Sequence, residues 1–255
     1  MKFPDRDRVI YTSNPLQEVI CQIRFPRVLE IESRLPVDFQ KTVAQRYPLL
    51  ETREAVRIEI SKGETTERAV VYEFGSTDHR WKLSLASDFI AISTQDYIRW
   101  EEFRDHLATS LAYLFQHYTP AIFLRIGLRY ANLIDRSKLR LEGLPWREVI
   151  RPSLVGIMSE TIIPPADVAE LTGTIGVRLN EGFVTVRYGL IKPSDLDHTV
   201  YLIDSDFFTE KPTSPDTKDA LRLADEFNAE SGRVFRWCID DRLHDALGPK
   251  PVDKA

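Results

Sequence analysis

Phe123-Leu-Arg-Ile-Gly-Leu-Arg-Tyr-Ala-Asn-Leu-Ile-Asp135 lies in the middle of the chain and reads as a β-strand. Leu124, Ile126, Leu128 and Tyr130 alternate with Arg125, Gly127 and Arg129, the period of two that puts apolar side chains on one face. A similar strand lies about a hundred residues earlier, at Leu16-Gln-Glu-Val-Ile-Cys-Gln-Ile-Arg-Phe-Pro26. There Val19, Cys21, Ile23 and Phe25 alternate with Glu18, Ile20, Gln22 and Arg24, and Pro26 ends the run. The remaining elements are laid out around these two strands.

Residues 1–15 are polar, carry Pro4 and Pro15, and read as an arm. Residues 36–47 have helical spacing, with Pro36 suited to a first turn and Pro48 as a stop. Four strands are expected at Val56–Ile60, Arg68–Phe74, Trp81–Leu85 and Phe89–Thr94, with turns at Gly63, Gly75–Asp78 and Ser87-Asp88. A long helix follows, from Asp96 or Arg99 to Tyr118, with Trp100, Phe103, Leu107, Leu111, Leu114 and Phe115 in one apolar stripe. After the central strand the order recurs. A short helix is expected near Pro145–Ile150, then strands at Leu154–Ile163, Thr172–Leu179, Phe183–Ile191 and Thr199–Phe207. A long helix at Asp216–Phe235 and a short one at Asp240–Leu247 close the chain, with Gly248-Pro249 as the stop.

Each half thus reads strand, helix, four strands, long helix. Ile23 and Leu128, Phe89 and Tyr201, and Trp100 and Asp216 occupy matching places, with an offset that grows slowly, as loop insertions produce. The fold class is α+β, with halves 1–121 and 122–255 that either form two domains or one continuous one. A doubled strand-helix-four-antiparallel-strand-helix order resembles the saddle of TATA-box-binding protein and the helix-grip folds. That likeness implies topology alone, because fold does not fix function. In such a saddle Glu18, Arg24, Arg125 and Arg129 share the outward face. They read either as cross-strand charge pairs or as an anion-binding or nucleic-acid-binding floor.

Several blocks are similar to one family: Tyr11-Thr-Ser-Asn-Pro-Leu-Gln-Glu-Val-Ile-Cys-Gln-Ile-Arg-Phe-Pro26, Asp96-Tyr-Ile-Arg-Trp-Glu-Glu-Phe103, Arg125-Ile-Gly-Leu-Arg-Tyr-Ala-Asn-Leu-Ile134 and Tyr201-Leu-Ile-Asp-Ser-Asp-Phe207. They resemble the signature of a sporadically distributed prokaryotic family of about this length, catalogued as conserved hypothetical. The resemblance spans nearly the whole chain and implies no activity. The family's patchy distribution implies an accessory role such as phage defence or toxin control.

The chain has 255 residues, enough for one large domain or two small ones. A net charge of −5 weighs against a general nucleic-acid coat, because phosphate neutralisation supplies most of that affinity. Cys21 and Cys238 fit a reducing compartment as two buried thiols. The start, Met1-Lys-Phe-Pro-Asp-Arg-Asp-Arg8, has no apolar signal region, and no run is long enough to cross a membrane as a helix. The expected setting is the cytoplasm, without a membrane association.

No pattern names a cofactor. Gly173-Thr-Ile-Gly176 leads into a strand instead of a helix, and no phosphate-loop motif occurs. The five histidines are scattered; His106 and His117 sit on one helix but about 16 Å apart. No metal site is therefore expected. The sharpest acidic pair is Asp204 and Asp206, about 6.6 Å apart along one strand face. Such a pair can hold Mg²⁺ for phosphoryl transfer, or can simply face solvent at a strand end. The acids of the last long helix, among them Asp216, Asp219, Asp225, Glu226 and Glu230, form either a solvated face or a dock for a basic partner. The leading expectation is a non-catalytic binding protein that works through a protein partner or a homodimer. The runner-up is a nucleic-acid module on the polar sheet face, and the third a nuclease or phosphodiesterase at Asp204 and Asp206.

Overall fold

The computed structural model describes residues 3–59, 65–159, 168 and 170–252. In chain order the elements are β1 (Val9–Tyr11), β2 (Leu16–Arg24), α1 (Leu29–Ser33), α2 (Val37–Val43), β3 (Leu49–Glu59), β4 (Thr65–Gly75), β5 (Trp81–Ala86), β6 (Phe89–Thr94) and α3 (Trp100–His117). The central stretch is β7 (Arg125–Ile134). A 3-10 turn at Trp146–Glu148, α4 (Pro152–Val155) and a second 3-10 turn at Gly156–Ser159 follow. Then come β8 (Leu171–Arg178), β9 (Phe183–Ile191), β10 (Val200–Thr209), α5 (Thr217–Cys238), α6 (Asp241–Ala246) and β11 (Pro249–Pro251). The protein is α+β, with extensive antiparallel sheet.

The chain falls into two compact units. The first-half unit contains Val19–Leu128 and Thr209–Ala224; the second-half unit contains Met1–Glu18, Arg129–Phe208 and Asp225–Ala255. Both β2 and β7 contribute residues to each.

In the first-half unit the strand order is β3-β4-β5-β6-β2-β7. The pairs are antiparallel, with Cys21 opposite Ile92 and Leu83 opposite Ile92 from the other side. Leu124 N–H donates to the Arg24 carbonyl, 2.7 Å. One face is closed by α3, which packs on β6 and α2. The stripe expected on α3 is the buried one: Phe103, Leu107, Leu111 and Leu114 are each 0–2% exposed. Alternation on β2 produces the matching floor, with Val19, Cys21 and Ile23 buried and Gln22 and Arg24 turned away. Burial of the Cys21 thiol pushes its pKa up to about 12, so it is a packed side chain and not a nucleophile.

In the second-half unit the order is β7-β10-β9-β8. β10 pairs along its length with β9, and β9 with β8. The Tyr130 hydroxyl donates to Asn228 Oδ1 of α5 at 2.9 Å, which fixes that helix on β7. Gly189 sits mid-strand on β9 with φ +155°, and a Cβ there would run into the Leu171 carbonyl oxygen of β8. Gly189→Ala is therefore expected to cost roughly 1–3 kcal/mol, read from urea denaturation. Gly176→Ala, with open space at its Cβ, serves as the near-neutral control, and equal midpoints for the two variants would refute this strand contact.

Two sequence expectations need correction. Leu154–Ile163 does not begin as a strand: Pro152–Val155 is α-helical and Gly156–Ser159 is 3-10, while 160–163 lie outside the described residues. Pro152 starts this helix in the position where a missing N–H costs nothing. Leu154, Val155 and Met158 are buried at helical spacing, and a short apolar run does not distinguish the two periods. The second correction concerns the arm, which is not free throughout: β1 pairs antiparallel with β11, Val9 opposite Pro251 and Tyr11 opposite Pro249. The turn expected at Gly63 lies outside the described residues.

Candidate functional site

The polar face of the second-half unit gathers Glu18 from β2, Arg129 from β7, Arg187 from β9 and Asp204 and Asp206 from β10. Strand register does the gathering. Asp204 stands directly opposite Arg187, and Asp206 opposite Thr185. Because side chains two apart share a face, Asp204 and Asp206 point the same way. Arg129 reaches Asp204 as a two-pronged fork: Nε donates to Oδ1 at 2.7 Å and Nη2 donates to Oδ2 at 3.0 Å. Arg187 Nη1 stands 3.7 Å from Oδ2, and Arg129 Nη1 stands 3.9 Å from Glu18 Oε2.

Burial is uneven across this cluster. The Asp204 side chain is 6% exposed, whereas Arg129 is 40% and Arg187 is 56%. The Asp204 hydrogen bonds raise the Arg129 pKa further, against desolvation and with help from the charges of Asp204, Glu18 and Asp206. A carboxylate whose two oxygens both accept from one guanidinium is a strong, orienting contact. Asp204 therefore serves first as the anchor of Arg129. A metal ion at this pair would have to displace that fork, and among the described residues no group of three or more His, Cys, Asp or Glu is placed to hold one.

Arg24 and Arg125 belong to the first-half unit. Arg24 Nη2 lies 3.4 Å from Asp88 Oδ2 and its side chain is 49% exposed. The Arg125 guanidinium lies along its own strand, over the place a Cβ of residue 127 would occupy; Gly127 makes that possible. The same unit has its own charged ladder, with Arg53 Nε 2.9 Å and Lys82 Nζ 3.5 Å from Glu73 Oε2. Pairing an acid largely shielded from water with cations from flanking strands is thus used in both units.

A further constellation escaped the sequence reading. Ser137, His198 and Asp135 converge in the second-half unit. Asp135 Oδ1 accepts from the Ser137 hydroxyl at 2.6 Å, and His198 Nε2 lies 3.0 Å from the same oxygen. Burial pushes the Asp135 carboxyl up, but the hydrogen bonds from Ser137 and His198 outweigh it and hold it below the ordinary carboxylate range. The residue types are those of a hydrolase triad; the geometry is not. A triad needs the imidazole between hydroxyl and carboxylate, using one nitrogen for each. Here the serine donates to the aspartate itself, and the arrangement ties a loop. Ser137 is two residues past Asp135, so the turn motif was legible, whereas the approach of His198 depends on tertiary structure.

The fold is that of an α+β antiparallel-sheet protein whose polar strand face carries arginine–carboxylate ladders. No family model, no curated protein and no solved structure matches the chain. No helix among the described residues is long and apolar enough to cross a membrane.

Proposed function

We propose that this protein is a non-catalytic binding protein that acts through protein–protein contact, with a protein partner or a second copy of itself. The observation that carries the reading is a run of exposed apolar side chains around α1 and α2. Leu29 is 67% exposed, Leu35 73% and Val37 47%, within nine residues of chain. Their neighbours Ile31, Phe39 and Val43 are buried, so the helices are properly docked and the outward leucines are surplus to their packing. Clustered exposed apolar residues mark interaction surfaces more often than scattered ones do. The family resemblance adds an accessory role, phage defence or toxin control, in a cytoplasmic setting.

A duplicated origin of the halves 1–121 and 122–255, with a saddle-like doubled fold, belongs to the same reading. It is supported by the strand orders β4-β5-β6-β2 and β8-β9-β10-β7, each three consecutive strands followed by the half's first long strand, with β3 as an extra edge strand in the first half.

The test is affinity capture from the source cells with the wild type and with the Leu35→Glu, Val37→Glu variant. The expected result is one stoichiometric protein in the wild-type eluate, with a clean protein spectrum, absent from the variant. Equal recovery by both, or a nuclease-sensitive excess at 260 nm with no protein, overturns the reading. The second outcome favours the nucleic-acid alternative. That alternative takes the polar sheet face expected from Arg24, Arg125 and Arg129. Arg178 and Arg187, exposed on adjacent strands of the second-half unit, test it there, and it requires Arg178→Gln with Arg187→Gln to weaken the 260 nm signal.

A further inference from the structure

We infer that the second-half unit holds a binding site for the phosphate dianion of a small phosphorylated molecule, in a cavity between the N-terminal arm and the C-terminal end of α5. The inference is independent of the docking surface on α1 and α2. The cavity measures about 200 Å³ and four arginines line it: Arg6, Arg151, Arg233 and Arg236. Among the described residues two carboxylates, Asp240 and Asp241, line it with them. Asp5 and Glu230, which engage Arg233, bring the neighbourhood to formal neutrality, so a phosphate would be held by the guanidiniums that no carboxylate engages.

The unengaged guanidiniums are those of particular side chains. Arg233 is engaged from outside the lining, by Asp5 and Glu230 at 2.9 Å each. Arg236 pairs with Asp241. Arg151 has no carboxylate partner among the described residues. Its Nε donates to the Trp237 carbonyl, and its guanidinium carbon lies 5.0 Å from the centre of the Trp237 ring. One edge of the fork is thereby used for orientation, and its terminal nitrogens keep their donors. Arg6 makes no ion pair or hydrogen bond among the described residues and is exposed; its charge is felt by Asp241 and His244.

The wall is held in place before any ligand arrives. Phe3 is 6% exposed and meets the Trp237 ring edge-on at 5.4 Å. Together with the Asp5–Arg233 pair and the β1–β11 strands, it fixes the arm that brings Arg6 to the cavity. Forked guanidiniums match tetrahedral oxyanions geometrically as well as in charge. Size selects within that class, because cavities that enclose drug-sized ligands measure about 300–1,000 Å³. This one suits a phosphate with a short substituent and not a whole nucleotide.

The probe is inorganic phosphate, titrated calorimetrically into the full chain in 150 mM sodium chloride, where loose surface attraction is screened. A saturable single-site isotherm is expected. Arg6→Gln should weaken it by roughly tenfold or more, the loss of one charge-assisted contact. Arg151→Met should weaken it at least as much. Arg6 has no structural bonds to lose, so a misfolded Arg151 variant would leave the Arg6 variant decisive. Glycerol phosphate in parallel separates an esterified ligand, which binds at least as tightly, from free phosphate, which then binds alone. Absence of saturable binding by the wild type, or wild-type affinity in Arg6→Gln, overturns the assignment.

Discussion

Arg129→Met lowers the stability of the protein by about 2–3 kcal/mol, somewhat less than the 3–5 kcal/mol expected for breaking a fully buried pair. The cost arises on the partner that stays behind. Asp204 is 6% exposed at its side chain and receives both of its short hydrogen bonds from Arg129. Arg187, at 3.7 Å, is a weaker substitute. The estimate is set below the fully buried value because the Arg129 side chain is 40% exposed, so water reaches the vacated site. The double variant Arg129→Met, Asp204→Leu removes the stranded charge and should regain most of the loss. A cycle of urea denaturation on the wild type, both single variants and the double variant checks this. Additive losses would mean that the fork contributes nothing and that Arg129 is available for a ligand.

That result also decides how the polar strand face should be tested for function. An Arg129→Glu substitution would place a third acid against Asp204 and Glu18, and lost binding could then come from lost folding. On that face Arg178 and Arg187 are exposed and make no short hydrogen bond to Asp204, so neutral replacements there disturb the fold less than one at Arg129. Arg187 is 56% exposed and touches Asp204 at long range, and Arg178 lies over the Phe183 ring at 5.5 Å.

The elements that were legible in the sequence are those with long, single-period patterns. The stripe on α3 and the alternation on β2 and β7 specify both the element and its buried face, because water exclusion acts on the same residues that set the period. Residues 154–158 read as a strand because Leu154, Val155, Ile157 and Met158, with Gly156 between them, are too short a run to separate the two periods, and the decisive Pro152 precedes it. The β1–β11 pair was invisible for a different reason: three-residue strands from opposite ends of a chain carry no local signal. For the candidate site, the alternation placed Glu18, Arg129, Asp204 and Asp206 on polar faces. It did not show that Arg129 and Asp204 bond to each other, which depends on the neighbour order β7-β10-β9. The arginine cavity depends on tertiary contact in the same way, since Arg6, Arg151 and Arg236 come from three separate segments.

The stability of the first-half unit falls by about 3 kcal/mol between pH 7.5 and pH 4 through His106 alone. The imidazole is 7% exposed, stacks on Trp81 with ring centres 3.6 Å apart and planes within 7°, and shares a 2.6 Å hydrogen bond between its Nδ1 and the Tyr47 hydroxyl. Burial, with the charges of Arg46 and Arg80 acting in the same direction and Asp105 and Asp78 against it, pushes its pKa down from 6.5 to about 4. Burial likewise pushes Tyr47 up, so the phenol stays a donor and Nδ1 the acceptor throughout this range. The folded state then refuses a proton that the unfolded chain accepts near pH 6.5. Stability is complete above that value and declines as pH falls, levelling off near pH 4, where the folded imidazole also protonates. Lowering a histidine from 6.5 to about 4 corresponds to about 3 kcal/mol. His106→Gln removes the titrating group at a fixed cost in packing. Its unfolding free energy should therefore fall less steeply with acid than that of the wild type, by that amount, in urea denaturation series at pH 7.5, 6, 5 and 4. Carboxylates elsewhere titrate equally in both proteins and cancel in the difference. Parallel curves would mean that the imidazole is protonated in the fold, and the Trp81 stack would then have to be read as a cation on an aromatic face instead of two neutral rings.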